Sequence, residues 1–337
     1  MAGIGFDCGT YNLVCCTRDD KKKDVYKREV NAFIEIPLDN PFLYSIMEES
    51  GKVPLINRGD IAFALGEAAL NMAVTLDLDL KRPMKDGCVN PSEKDAFEIL
   101  NLMIHSMIEE IDQDGVPLYY SVPANAVNEQ TDADYHGHIL QAIFDAYESS
   151  KGYKVKARPL NEGLALIYAE LQSKAYTGIG ISFGAGMVNL CCATHGVPAF
   201  QFAIVNSGDW IDKQAAKATG ESIAFINQQK QSVDLSKVPV SLVDRAIKGQ
   251  YQIMVEKTVQ GIKKGLAEAG KKVRQDKPID IVIAGGTSMP VGFDKLFKDT
   301  LLAAKLPIKV GNIIRPKEPL YSVALGCLVA AEKSTQG

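Results

Sequence analysis

Gly5-Phe6-Asp7-Cys8-Gly9-Thr10 runs into Leu13-Val14-Cys15-Cys16, and far downstream Ile181-Ser182-Phe183-Gly184-Ala185-Gly186 runs into Asn189-Leu190-Cys191-Cys192. Each stretch reads as an apolar strand, a glycine-containing tight turn and a second apolar strand, with glycines that permit close backbone approach. Glycine hairpins are common, so two can coincide by chance. Read together, the paired stretches indicate a duplicated chain of two related halves.

The segments around them alternate strand and helix. Ser92, followed by Glu93 and Asp95, can cap a helix reaching Ile111, with Phe97, Leu100, Ile104, Met107, Ile108 and Ile111 recurring at helical period. Val116 to Val122 reads as a strand closed by Pro123, Asn128 to Glu148 as a helix, and a third helix follows Pro159 through Leu164, Ile167, Tyr168 and Leu171. In the second half, Ala199 to Val205 reads as a strand and Asp209 to Lys217 begins a helix. Ser241 to Ala269 is a long helix, and Ile279 to Ala284 is a buried strand ending in Gly285-Gly286. A helix opens after Pro290, and an Ala-rich one spans Tyr321 to Lys333. This order predicts parallel sheets covered by helices. The stretches Thr17 to Lys85 and Gly220 to Pro239 fit the alternation least and are expected to form smaller accessory lobes.

The chain has 337 residues, which predicts roughly two domains. Thirty-seven Lys and Arg stand against 41 Asp and Glu, so no global positive field exists to collect nucleic acid. No apolar run approaches a membrane span, and Met1 to Phe6 lacks the regions of a signal peptide, so a cytoplasmic location is expected. The 7 cysteines include adjacent pairs and no C-x-x-C, which predicts reduced, mostly buried thiols rather than zinc ligands or disulfides. His136 and His138 lie two apart on an expected helix and face different ways, and His105 and His195 have no visible partners. Lys21-Lys22-Lys23 among Asp19, Asp20 and Asp24 reads as a solvated hairpin tip, and Trp210 as packing near a cleft.

Glycine turns between strands place backbone N–H groups where they can hold phosphate oxygens, because no Cβ blocks the approach. Two facing turns can clasp one polyphosphate. Asp7 precedes the first turn, where a carboxylate can hold hydrated Mg²⁺, and Thr10 can hydrogen-bond a phosphate.

Asn161-Glu162-Gly163-Leu164-Ala165, the second glycine hairpin, Gly208-Asp209 and Gly285-Gly286-Thr287 follow in succession. In this order the chain resembles the actin-like ATPase superfamily, which includes actin, heat-shock chaperone ATPase domains and sugar kinases, and within it the bacterial actin homologues MreB and MamK. Leu65-Gly66-Glu67-Ala68-Ala69 and Arg82-Pro83-Met84-Lys85-Asp86-Gly87 add to the likeness, which covers nearly the whole chain. It implies a duplicated α/β fold, two domains each with a mixed or parallel sheet flanked by helices, and a nucleotide cleft between them. The domains would be residues 1–160, with an accessory lobe at 17–85, and 161–315, with a reduced lobe at 220–240. A C-terminal helix in 316–337 would pack back on the first domain.

The resemblance also implies roles. Asp7, Gly9, Thr10, Tyr11 and Asn12 match the first phosphate loop, with Asp7 holding the metal through water, and Ser182, Gly184, Ala185 and Gly186 match the second. Glu162 matches the position that orients the attacking water and is the implied catalytic residue. Gly208 and Asp209 resemble the ribose-side turn, and Gly285, Gly286 and Thr287 the adenosine motif. ATP or ADP and Mg²⁺ are the implied cofactors, a homopolymeric filament the implied partner, with cargo or adaptor unidentified. No direct nucleic-acid contact is expected, and membrane contact stays open without being indicated.

One departure matters. The family usually carries Asp where this chain has Ser182, and a hydroxyl supplies no negative charge, so Mg²⁺ would rest mostly on Asp7 and phosphate oxygens and hydrolysis would be slow or lost. Four readings stay open: a filament-forming ATPase, a nucleotide binder with weak hydrolysis, a chaperone-like or reactivating ATPase, and a small-molecule kinase using Asp209 or another carboxylate as base.

Overall fold

The computed structural model describes residues 2–39, 55–76, 78–127, 131–273 and 277–335. Part of the lobe expected at 17–85 and the first residues of the helix expected from Asn128 lie outside them. The first half contains β1 (Ile4–Cys8), β2 (Asn12–Arg18) and β3 (Asp24–Val30), then β4 (Phe33–Pro37), β5 (Leu55–Arg58), β6 (Ile61–Leu65) and helix α1 (Gly66–Leu76). It continues with the short strands β7 (Met84–Lys85) and β8 (Cys88–Val89), then α2 (Ala96–Met107), β9 (Val116–Val122), α3 (Ala133–Asp145) and β10 (Val155–Asn161), from which α4 (Glu162–Glu170) leads into the second half. The second half contains β11 (Gly178–Phe183), β12 (Val188–Thr194), β13 (Val197–Ile204), α5 (Gly208–Thr219), α6 (Ile223–Ser232) and α7 (Leu242–Ala269). It ends with β14 (Ile279–Ala284), α8 (Phe293–Ala303), β15 (Val310–Ile314) and α9 (Ser322–Lys333).

The duplication read from the two hairpins is visible in the topology. One five-stranded sheet has the order β10-β9-β1-β2-β3 and the other β13-β12-β11-β14-β15, which is the same arrangement read from opposite edges. In each, the hairpin strands pair antiparallel and the first strand pairs parallel with the strand entering from a helix. The turns agree in detail: a Cβ on Gly9 would meet the Asn12 carbonyl oxygen at 2.5 Å, and one on Gly184 the Met187 carbonyl oxygen at 2.8 Å.

Two helices cross between the sheets. Helix α4 leaves the first sheet and packs on β11 and β12 of the second, while α9 leaves the second sheet and packs on β1, β2 and β9 of the first. They meet where Gly326 faces the Ala165 backbone so closely that a Cβ would lie 1.8 Å from the Ala165 oxygen. Leu164, Ile167, Leu171, Val323 and Cys327 fill the layer around this crossing. Each buried Leu or Ile there contributes roughly 2 kcal/mol.

Several expectations are corrected. Thr17 to Val30 does not begin an accessory lobe, because β3 pairs with β2 in register from Asn12↔Val30 to Arg18↔Asp24 and forms the edge of the main sheet. Its charged, mostly exposed residues hid it, as suits an edge strand that resists pairing with other chains. The described part of the lobe is the sheet β4-β6-β5 with α1 packed on it. The helix expected from Ser92 starts at Ala96 because Asn90 first holds a turn through Ser92 N–H, and Phe97 points to solvent. The helix expected over Asn128 to Glu148 spans Ala133–Asp145, with Asp132 capping Tyr135 N–H.

The seven cysteines are free, six of them buried, and burial pushes the thiols of Cys15, Cys88, Cys191 and Cys192 up to about 12, which leaves them unreactive. Lys21 to Lys23 form an exposed hairpin tip whose backbone folds onto Asp19. Trp210 packs against the second-half core with Lys257 Nζ 5.9 Å from its ring centroid. His136 is buried and accepts from Val89 N–H, whereas His138 is exposed, so the two make no metal pair. His105 Nε2 lies 2.8 Å from the Ile143 carbonyl oxygen. No helix among the described residues is long and apolar enough to cross a membrane.

Two stability predictions follow from this packing. Gly326→Ala is expected to lower stability by about 1–3 kcal/mol in urea melts, whereas Gly137→Ala, inside α3 with nothing near the added methyl, is expected to raise it by about 0.5–1 kcal/mol. Burial lowers the His136 pKa to about 4 against about 6.5 in an unfolded chain, so its contribution is complete above pH 6.5 and is lost as pH falls toward 4. Urea melts of native chain and His136→Asn at pH 7.5 and pH 4.5 check this. The acid-side loss is expected to shrink by on the order of 3 kcal/mol in the variant.

Candidate functional site

Both glycine hairpins open onto one cavity of about 590 Å³ between the halves. The first supplies Asp7, Gly9, Thr10, Tyr11 and Asn12, the second Ser182, Gly184, Ala185 and Gly186, and the loop after β14 supplies Gly285, Gly286 and Thr287. Asp209, at the start of α5, and Glu162, at the start of α4, complete the expected set. Gly208 does not line the cavity. It lies behind the wall, where a Cβ would meet Thr287 Oγ1 at 2.5 Å, so its lack of a side chain serves packing rather than ligand contact.

The two turns are held from behind. Asn31 donates to the carbonyls of Gly9 and Tyr11, while Gly208 N–H, Asp209 N–H and Thr287 Oγ1 donate to the carbonyls of Gly184 and Ala185. The N–H groups of Thr10, Ala185 and Gly186 have no acceptor among the described residues. Unpartnered amides in tight turns are anion-binding groups. The jaws touch at Gly186, where a Cβ would strike Thr10 Oγ1 and Gly87 N at 2.3 Å.

Two carboxylates share the cavity floor. Asn161 caps α4 by accepting from Gly163 and Leu164 N–H, which fixes Glu162 in the first turn. Burial, reinforced by the Asp7 charge, pushes the Glu162 pKa well above the usual carboxylate range, against the hydrogen bonds from Ser182 and Asn189. Burial also raises Asp7, against the 2.7 Å hydrogen bond that Ser121 donates to it. Among the described residues, no basic side chain contributes to either shift. Two half-buried acids that line the cavity together with the hydroxyls of Ser182 and Thr10 form a donor set suited to Mg²⁺.

A family model described as Volactin matches residues 1–331. The chain belongs to the Volactin family. Among solved structures it is similar to a MamK double helical filament, with 18% identity, 98% of each chain covered and a TM-score of 0.70. It is also similar to a non-polymerising MamK mutant bound to AMPPNP, at 18% identity, 98% of each chain and a TM-score of 0.57. The ethanolamine utilization protein EutJ from Carboxydothermus hydrogenoformans matches at 16% identity over 97% of this chain and 89% of that one, with a TM-score of 0.53. No curated protein sequence matches this volactin. These likenesses give the volactin the two-domain actin-like fold of the MamK and EutJ structures.

Sequence reading missed several residues that the fold brings to the site. Lys230, on α6, is buried and donates to the Gly208 carbonyl at 2.9 Å and to Asp212 at 2.7 Å. Nothing in the spacing of positions 208, 212 and 230 signals that contact. Arg82 reaches across the cleft to Asp209 at 2.9 Å, with its guanidinium 5.3 Å from the Tyr11 ring centroid. One turn along α5, Lys213 meets Asp86 at 3.5 Å. The Arg82 to Gly87 segment of the volactin therefore straps the first half to α5. Glu35, Glu93 and Asp95 also cluster, but Lys81 already sits among them, 2.6 Å from Glu35 and 4.0 Å from Glu93.

The partly exposed strap pairs contribute about 1–2 kcal/mol to closure once solvent screening is allowed for. Arg82→Ala with Lys213→Ala is expected to enlarge the radius of gyration in solution scattering while leaving the melting temperature within a few degrees. An unchanged radius would mean that the strap does not hold the halves together.

Proposed function

We propose that this volactin binds ATP with Mg²⁺ in the inter-half cavity, hydrolyses it to ADP and phosphate, and assembles with copies of itself into filaments governed by nucleotide state. The observation that carries the reading is the convergence of two duplicated glycine turns, with unpartnered amides, on one cavity floored by two uncompensated carboxylates. A polyphosphate fits the amides and a divalent cation fits the acids. Similar structures include a MamK filament and a MamK mutant bound to AMPPNP, which favours this ligand class and this mode of assembly.

In this reading the turn amides of Thr10, Ala185 and Gly186 hold phosphate oxygens, and Asp7 holds the cation through water. Mg²⁺ supplies charge neutralisation of the phosphates when bound. Glu162, raised by burial and by Asp7, orients a water toward the terminal phosphate and can accept its proton. Ser182 adds only a hydroxyl, so slow turnover is expected. The loop at Gly285, Gly286 and Thr287 makes room for the base, and Asp209 lies on the ribose side. Because Asp209 is paired with Arg82, it is poorly placed as a base for a second substrate, which disfavours the small-molecule kinase.

Residues 1–160 and 161–315 would act as two bodies bridged by the terminal phosphate, so hydrolysis would shift the population of closed forms. A head-to-tail contact between such bodies extends into an open filament. A cytoplasmic location and an unidentified adaptor or cargo complete the proposal.

Glu162→Gln is expected to slow phosphate release by about 100-fold or more while ATP affinity changes by only a few-fold. Equal turnover in the variant would remove Glu162 from catalysis. Assembly is checked by pelleting and negative-stain microscopy with ATP and Mg²⁺. A chain that stays monomeric at high concentration would overturn the filament part of the proposal.

A further inference from the structure

Glu162 is gripped by a side chain that no motif pointed to. Asn189 Nδ2 donates to Glu162 Oε1 at 2.9 Å, and Asn189 Oδ1 accepts from Ala124 N–H at 3.0 Å. The orientation of the amide follows from chemistry: a backbone N–H can only donate, so the oxygen must face Ala124, and the NH₂ group is left for the carboxylate. Asn189 lies directly across from Ser182 in the β11–β12 pair, and both are almost fully buried. The carboxylate is thus held by two neutral cross-strand neighbours.

The other end of this link belongs to the first half. Ala124 follows β9, and the chain beyond it docks on the second half, with Val127 N–H donating to Ala203 at 2.9 Å and Ala126 bridged to Ala203. Asn189 therefore touches both halves at once, with one polar atom on each.

We propose that Asn189 is a positioning residue, whose side-chain amide aims the Glu162 carboxylate into the cleft and ties that aim to the seating of the 124–127 segment on the second half. The inference rests on the reading of Glu162 as the water-orienting group. A glutamate side chain has three torsions, and among the described residues Asn189 supplies the side-chain hydrogen bond that fixes its carboxylate. A shift of the first half that moves Ala124 pulls the amide and with it the carboxylate, so the geometry at the phosphate follows closure of the cleft.

Asn189→Asp tests this, because it keeps an oxygen for Ala124 N–H and replaces the donor facing Glu162 with a second acceptor. Phosphate release, affinity for a fluorescent ATP analogue and thermal melting are measured for native chain, Asn189→Asp, Asn189→Ala and Glu162→Gln. The expected result is a kcat about 10–100-fold lower in Asn189→Asp, with KM changed less than kcat and the melting temperature within a few degrees of native. Asn189→Ala loses both contacts and is expected to melt lower as well. If Asn189→Asp turns over within about threefold of native while Glu162→Gln is inactive, the positioning role is overturned and Asn189 is only a cross-link. If Glu162→Gln turns over like native, the reading of Glu162 fails instead. A native chain that binds no adenine nucleotide sinks both.

Discussion

Everything in this molecule depends on how closely α4 and α9 approach each other between the sheets. Each helix starts from one sheet and packs on the other, and their backbones meet at Ala165 and Gly326 with no room for a methyl group. A side chain at that crossing would separate the sheets and widen the cavity that lies between them. Because α4 begins at Glu162, the same crossing sets how deeply that carboxylate sits in the cleft. Core packing and site geometry are here one constraint, since a close-packed interior transmits strain rather than absorbing it.

The electrostatics follow from that depth. Asp7 and Glu162 are half-buried beside each other with no basic group among the described residues contributing to their shifts, an arrangement that costs free energy in the isolated chain and favours a cation and a water-ordering role. Around them the charges are arranged differently. Arg82, Lys213 and Lys230 are spent on Asp209, Asp86 and Asp212, where they hold elements together rather than neutralise the floor. The cleft is therefore closed by ion pairs at its mouth and left uncompensated at its base.

Ser182 is best understood within this pattern. A third carboxylate would stand beside two acids already raised by burial. The hydroxyl instead stands close enough to Glu162 to lower its pKa, across the strand pair from the Asn189 amide. Neutral partners restrain the carboxylate without adding to the charge that the site must offset.

The sequence by itself determined the local geometry. Gly9 and Gly184 can close their turns only without a side chain, Asn161 caps the helix that carries Glu162, and alternating strand and helix force the layered architecture. The duplication was legible for the same reason, since its hairpins are short-range patterns. Charged β3 was not, because an edge strand needs little apolar alternation and is recognised only by its partner β2. Only the tertiary structure decided that Gly208 sits behind the wall, that Lys230 reaches the Gly208 carbonyl, that Arg82 takes Asp209, and that Asn189 holds Glu162. Those contacts join residues far apart in the chain through hydrogen bonds and ion pairs. Such pairings leave no period or spacing in the sequence and exist only once the two sheets are held at their packed distance.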